Sequence, residues 1–291
     1  MSPASSSSND RTTILRELAP GNLVQPATAL WRVYEIEAVR RHVKFGGRVL
    51  DVGCGDGSLA RVVFRGYESL EIVGLEPDPT DADSARQSGV YREVHCAFGN
   101  RIPEPDASFE QVFSNSVLEH IPELEPVLAD VSRVLKRNGT FVFTVPSEFF
   151  HDCLGGDTLP ERILRRGHES THEAIDRRLR HYRYWTESEW RQKLDAVGLE
   201  VSRAVRYFPR EAVQAWQRMS GWTGGLAFEL FGRTSETRGT QRRLGLDRLD
   251  AAIPPATRES LLAWLLRHQM DWSDEPLAQA SGGLLIEARK R

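Results

Sequence analysis

Lysine is nearly missing from this chain: among 291 residues, 4 lysines stand against 34 arginines. That bias points to a GC-rich bacterial source and says nothing of chemistry. The formal net charge is only −3, with basic residues scattered among acids. No positive field gathers phosphates, which argues against a nucleic-acid partner. Cysteine is scarce as well. Cys54, Cys96 and Cys153 are odd in number and lack metal-ligand spacing, as expected of reduced thiols in a cytoplasmic protein. No apolar run approaches the ~20 residues of a membrane span, and the basic-then-apolar pattern of a signal peptide is missing. The length suits one large domain, or one domain with a substantial insertion.

What is present concentrates in Arg48–Val63, RVLDVGCGDGSLARVV. The aliphatic residues Val49, Leu50 and Val52 surround an acidic one, Asp51. The run then breaks into glycines at alternate positions, Gly53, Gly55 and Gly57, before a helical pattern with Ser58 in the N-cap position. A strand, a glycine turn and a helix let backbone approach a ligand closely, because no Cβ intervenes. The same pattern also makes a tight turn with no ligand. Spacing separates it from the dinucleotide fingerprint G-x-G-x-x-G, whose third glycine is replaced here by Ser58. The next strand, EIVGLE, ends in Glu76, 19 residues beyond Gly57. A carboxylate there accepts both hydroxyl protons of a ribose. The implied ligand carries a ribose, in a turn not built for pyrophosphate.

Together, VLDVGCGDGSLA and IVGLEPDP resemble the first two motifs of the class I S-adenosylmethionine (SAM) dependent methyltransferases. A third block, IPEPDASFEQVFSNSVLEHIPELEPVLADVSRVLKRNGTFVFTVPS, is similar to their small-molecule branch, type 11. The resemblance covers about residues 43–147 and, more faintly, 181–207. It implies SAM as cofactor and S-adenosylhomocysteine as product. Asp51 and Gly53 would then lie near the methionine portion, with Cys54, Gly55 and Gly57 completing the turn. Glu76 would hold the ribose, Asn115 would lie under the sulfonium, and Pro77 and the loop after strand 3 would flank adenine. Phe98 stands where the family's aspartate commonly meets the adenine amine, so a backbone group or the Phe98 ring takes that place. The helix over ALWRVYEIEAVRRHV either closes over the cofactor, with Trp31, Arg32 and Tyr34 reaching the methionine carboxylate, or packs as an ordinary core helix.

Strands at VLDV, EIVGLE, REVHC, QVFSN and TFVFTV alternate with helical segments, which predicts an α/β fold on a parallel sheet. Asn138-Gly139 is expected to turn the chain into the fifth strand. The resemblance completes this as a Rossmann-like seven-stranded methyltransferase sheet, mostly parallel with the last strand antiparallel, carrying helical lid insertions. The expected organisation is a disordered tail over 1–21, a SAM-binding core over 22–147 and a lid segment over 148–180. A core continuation follows over 181–208, then a helical insert capping the substrate over 209–280, and the last core strand over 281–291. Within the insert, RESLLAWLLRHQM places Leu261, Leu262, Leu265 and Leu266 on one side of a helix.

Methyl transfer from a sulfonium is an in-line displacement; the protein aligns the acceptor and, for a hydroxyl, removes a proton. Histidine is the natural proton acceptor near neutral pH. His181, opening HYRYWT, and His120, in VLEHIP, fall inside matched motifs and come first, in that order. His151, just beyond strand 5, follows. Similarity of the third block to ubiquinone-pathway O-methyltransferases implies a divalent ion around the LEH triplet. The first carboxylate position is Ser116, however, a poor ligand for a hard cation. A metal-free reaction is therefore expected, with magnesium the exception left open. HESTH, His168 to His172, is a literal H-E-x-x-H, which on a helix offers two imidazoles to zinc. Arg165, Arg166, Arg177 and Arg178 around it oppose a cation, and a solvated helix face is the expected account. The implied partner is a small polar acceptor, methylated at a hydroxyl of a sugar, glycoside or secondary metabolite. The alternatives are a nitrogen or carbon acceptor, or a SAM-binding protein without catalysis. No oligomeric state follows from the sequence.

Overall fold

The β-branched runs of the sequence form seven strands of one sheet: β1 (Arg48–Val52), β2 (Glu71–Leu75), β3 (Glu93–His95), β4 (Phe109–Asn115), β5 (Leu135–Pro146), β6 (Leu199–Pro209) and β7 (Ser281–Lys290). This is a computed structural model, and it describes residues 3–19, 25–158, 162, 170–222, 252–270 and 281–291. The strand order is β3-β2-β1-β4-β5-β7-β6. β1 lies parallel to β2 and β4, β2 to β3, and β4 to β5, whereas β7 runs antiparallel to β5, from Thr140↔Arg289 to Pro146↔Gly283. The fold is the Rossmann-like α/β architecture expected, with its last strand reversed. Because β1 to β5 all run the same way, their carboxyl ends, and the loops that follow, share one edge of the sheet.

The chain divides into two compact units. The first comprises Met1–Glu37, Phe149–His181 and Tyr207–Gly282; the second comprises Ala38–Glu148, Tyr182–Arg206 and Gly283–Arg291. The second unit carries the sheet. Helices α3 (Ser58–Val63), α4 (Pro79–Gln87) and α5 (Glu125–Val134) connect its parallel strands, and α8 (Glu187–Asp195) leads into β6. Its core is continuous across one sheet face, where Leu50, Val112, Phe141, Phe143 and Leu194 pack together around Trp190. The expected turn at Asn138-Gly139 lies inside β5 rather than before it, since that strand already begins at Leu135. Asn138 takes φ 65° and the β4–β5 register shifts between Phe109 and Gln111. Three more residues are taken up on β5 than on β4 at that point, where a β-bulge takes up one.

Besides the end of β6 and the start of β7, the first unit holds helices among the described residues: α1 (Pro3–Leu18), the start of α2 (Pro26–His42), α6 (Phe150–Cys153), α7 (Thr171–Leu179), α9 (Arg210–Ser220) and α10 (Pro255–Leu266). The expected disordered tail is corrected by α1. Serine-rich composition hides a buried stripe of Arg11, Ile14, Leu15 and Leu18 at i, i+3, i+4 and i+7. The Arg11 guanidinium pairs with Glu37 at 2.6 Å, donates to the Met270 carbonyl at 3.0 Å and lies 4.2 Å over the Tyr34 ring. Paired in this way, a buried charge is tolerated. Trp31 meets Phe150, Phe208 and Trp216 edge-on, Tyr34 is buried and donates to the Gln269 carbonyl at 2.8 Å, and Arg32 pairs with Glu35. Of the two readings of α2, packing accounts for these three side chains. In α10 the four leucines divide: Leu262 and Leu266 are buried, whereas Leu261 and Leu265 are 42% and 41% exposed.

Candidate active site

The strand β1 runs into the glycine turn with Gly53, Gly55 and Gly57 at φ 74°, 55° and 79°, the left-handed region that glycine enters without steric cost. The turn is stitched to the neighbouring strand. The Gly53 and Cys54 N–H groups both donate to the Leu75 carbonyl, at 2.8 and 3.1 Å. At the end of β2, Glu76 is fastened against the turn: its Oε2 accepts from the Gly55 N–H at 2.9 Å and its Oε1 from the Asp78 N–H at 3.0 Å. Burial pushes the Glu76 carboxyl above its usual range, and these two backbone donors act against that shift. Each oxygen keeps a second acceptor site for a ribose hydroxyl. Ser58 does not cap α3. The helix starts at Ser58 with Gly57 in the cap position, and the Ser58 hydroxyl and N–H both donate to Asp56 Oδ1, at 2.6 and 3.0 Å.

The remaining cofactor candidates follow the same strand ends. Asp51 is buried in β1 and accepts from the Tyr91 hydroxyl at 2.7 Å. Cys54 turns its thiol inward, onto Ala82, Ala85 and Val94, and burial raises its pKa. Pro77 is exposed just after Glu76, ahead of Asp78, which caps α4 by accepting from the Thr80 and Asp81 N–H groups. Phe98, beyond β3, is 70% exposed. Asn115, the last residue of β4, is buried and accepts from the Thr144 hydroxyl at 3.2 Å.

The three histidine candidates fall in different units. His120 belongs to the sheet unit, ending a single 3-10 turn, Leu118–His120, just after β4. Its side chain is 42% exposed, with Nε2 3.8 Å from Oε1 of the buried Glu119. The HYRYWT segment holds this loop. The Tyr182 N–H donates to the Glu119 carbonyl at 2.9 Å, and the Arg183 guanidinium donates to the carbonyls of Leu118, Ile121 and Pro122. His151 and His181 belong to the helical unit. There His151 Nε2 lies 2.9 Å from Asp176 Oδ1 and its ring stacks on His172 at 4.4 Å, while His181 packs near Phe150. His172 sits on α7, which begins at Thr171 with Ser170 as an extended N-cap, so this helix starts after the first half of HESTH. His168 and Glu169 lie outside the described residues.

Residues 50–143 match the family described as a methyltransferase domain. That match starts within β1, takes in the glycine turn, Glu76 and β4, and reaches into β5. It is 30% identical over 166 residues to the malonyl-[acyl-carrier protein] O-methyltransferase of Halorhodospira halophila, covering 53% of this chain and 55% of that protein. It is 31% identical over 129 residues to a sterol 24-C-methyltransferase of Gibberella zeae, 42% of this chain and 33% of that one. A dimethylglycine N-methyltransferase of Parasynechococcus marenigrum is 35% identical over 108 residues, 35% of this chain and 38% of its own. The chain thus spans between a third and just over half the length of these relatives. Among solved structures, the [4+2]-cyclase SpnF aligns with TM-score 0.50 and 21% identity over 87% of this chain and 78% of that one. That a cyclase shares the fold means that the fold does not by itself fix the reaction.

The residues of this region fit SAM: a turn with glycine at alternate positions, a fastened carboxylate for ribose hydroxyls, and a second, buried carboxylate for a cationic group. Sequence reasoning missed Tyr91, because 40 residues separate it from Asp51 and no motif links them. It also missed Arg183, whose role is to carry the carbonyls of a loop some 60 residues away in sequence. For a metal, Ser116 stands at the first carboxylate position with φ 50° and its N–H on Thr144. Glu93, His95 and Glu104 bring three potential ligands together elsewhere in this unit. There the Arg48 guanidinium makes two hydrogen bonds to Glu104, both 3.1 Å, and His95 Nε2 lies 2.9 Å from it, so the group is an ion-pair network facing a fixed cation. No helix among the described residues is long and apolar enough to cross a membrane.

Proposed function

We propose that this protein transfers the methyl group of SAM to a hydroxyl of a small polar molecule, a sugar, glycoside or other secondary metabolite. The observation that carries the reading is Glu76, held by the Gly55 and Asp78 N–H groups beside a left-handed glycine turn. The relatives methylate oxygen, carbon and nitrogen by name. What supports oxygen here is a part-exposed histidine, His120, on the loop after β4, with the buried Glu119 carboxylate beside it. When bound, SAM would supply a methyl group activated by its sulfonium, the carbon–sulfur bond giving way to the new carbon–oxygen bond with S-adenosylhomocysteine leaving as the neutral thioether. Glu76 fixes the ribose, and Asp51 and Asn115 order the methionine end. His120 Nε2 takes the hydroxyl proton as the oxygen attacks, and the Glu119 carboxylate steadies the resulting imidazolium. His120 is preferred because it lies on the loop directly after β4, at the carboxyl edge of the parallel strands where β1 runs into the glycine turn.

Calorimetry should show binding of both SAM and S-adenosylhomocysteine. Glu76→Ala should weaken each by about 1–3 kcal/mol, as expected for lost charge-assisted hydrogen bonds. Full affinity in that variant would remove Glu76 from the ribose site. Incubating the protein with labelled SAM and extracts of its source organism should yield a methylated product. SAM binding without any turnover would identify a binding protein instead.

Activity should survive EDTA, because Ser116 supplies a hydroxyl where a hard cation needs an anion. Loss in EDTA with recovery on adding magnesium would overturn the metal-free reaction.

A further inference from the structure

Tyr91 lies outside every motif that carries the family resemblance, on the stretch between α4 and β3. Its ring occupies room that two glycines leave. A Cβ on Gly57 would stand 3.1 Å from Tyr91 Cε2, and one on Gly74 would stand 3.3 Å from Tyr91 Cδ1. Gly74 would also meet the Cys54 sulfur at 2.8 Å. The last residue of the glycine turn and the middle of β2 are therefore shaped around this ring, and the ring delivers a hydroxyl to a buried acid. Tyr91 Oη donates to Asp51 Oδ2 at 2.7 Å, and no hydrogen bond to Oδ1 is found among the described residues.

Three titratable groups face Asp51: Tyr91 from the α4–β3 stretch, Glu76 from the end of β2, and Cys54 from the turn. β4 adds no charge, since the residue paired with Asp51 is Phe113. Burial first, with the Glu76 charge behind it, pushes the Asp51 carboxyl up to about 7, and the Tyr91 hydroxyl opposes that rise. Tyr91 is itself pushed well above its usual range, chiefly by burial, so it stays a donor at neutral pH. An acid whose folded pKa is raised favours the folded state at low pH and loses that contribution as pH rises through about 7. A ligand cation beside the ionised form offsets that loss.

We propose that Tyr91 is a positioning residue of the cofactor site, its hydroxyl holding Asp51 as the anion that receives the ammonium group of SAM. This rests on the SAM reading above. The hydroxyl fixes the rotamer of the carboxylate by one oxygen and directs the other to the ligand. It also opposes the rise that burial imposes on the carboxyl, so that more of it is ionised near neutral pH.

The test is calorimetric titration with SAM between about pH 5.5 and 8, the range below and around the α-amino titration. Wild-type affinity should fall on the acid side as Asp51 takes up a proton. Tyr91→Phe keeps the ring and removes the hydroxyl. It should weaken SAM about tenfold at pH 7, with the acid limb moving upward by about one pH unit. Asp51→Asn should bind weakly and without an acid limb. Adding Tyr91→Phe to Asp51→Asn should cost less than about twofold, because the hydroxyl then has no carboxylate to hold. An equal loss in both backgrounds, or an unmoved acid limb, would reduce Tyr91 to packing and overturn the proposal. Should Tyr91→Phe fail to fold, Asp51→Asn decides alone: an acid limb like that of the wild type overturns it. Wild-type protein that binds no SAM at any pH refutes the cofactor reading itself, a result distinct from either of these.

Discussion

Replacing His120 by alanine should slow methyl transfer by about 10²–10⁴, while SAM affinity stays within a few-fold. The split follows from where the side chain sits. His120 ends the short turn after β4, and the contacts that hold Glu76 come from the Gly55 and Asp78 N–H groups, which the substitution does not touch. Its loop is held by Arg183 and the Tyr182 N–H through backbone carbonyls, which the substitution does not touch. The wild-type rate should rise with pH as an imidazole gives up its proton, and that limb should vanish in the variant. His181→Ala and His151→Ala are the comparison arms, the other two histidines that the sequence offers as base. A loss of that size in either of them, with His120→Ala active, would move the base. Full activity in all three would mean that alignment alone carries the displacement, as it can for an acceptor that is already nucleophilic.

The candidate cofactor site was legible where its residues are neighbours in sequence. Asp51, the three glycines and Glu76 fall within two strand ends, and glycine at alternate positions after an aliphatic run marks a turn that needs left-handed backbone. Residues joined only by the fold were not legible. Tyr91 meets Asp51 because β1, β2 and β3 stack side by side, a contact that no local pattern encodes. The N-terminal helix was missed for a similar reason. Its serines have weak helix propensity, and what orders it is the buried pairing of Arg11 with Glu37 and Met270, which are remote in sequence. In α10 the four leucines span about 140° of the helix, and only the edge with Leu262 and Leu266 is buried. In β5, the turn signal of Asn138-Gly139 falls where the β4–β5 register shifts, after the strand has already begun at Leu135.

Gly53→Ala is expected to destabilise the protein by about 2–4 kcal/mol and to remove measurable SAM binding. Two separable costs add. The first is backbone strain, since φ 74° is a conformation that a side chain disfavours. The second is crowding: the new methyl would stand 2.5 and 2.7 Å from the two Cγ atoms of Val117 and 3.1 Å from its Cβ. Val117 is β-branched and stiff, and it precedes the turn that carries His120, so relief by movement would disturb the candidate base as well. The two costs can be told apart. Val117→Ala in the Gly53→Ala background should restore part of the stability, by removing the crowding while leaving the strain. Gly46→Ala, where an added Cβ meets nothing within 4 Å, should change stability by less than about 0.5 kcal/mol. Chemical denaturation of the four proteins checks the series. If Gly53→Ala matches Gly46→Ala, the turn tolerates a side chain and its close approach to a ligand loses its physical basis. If Val117→Ala restores nothing, the cost lies wholly in the backbone.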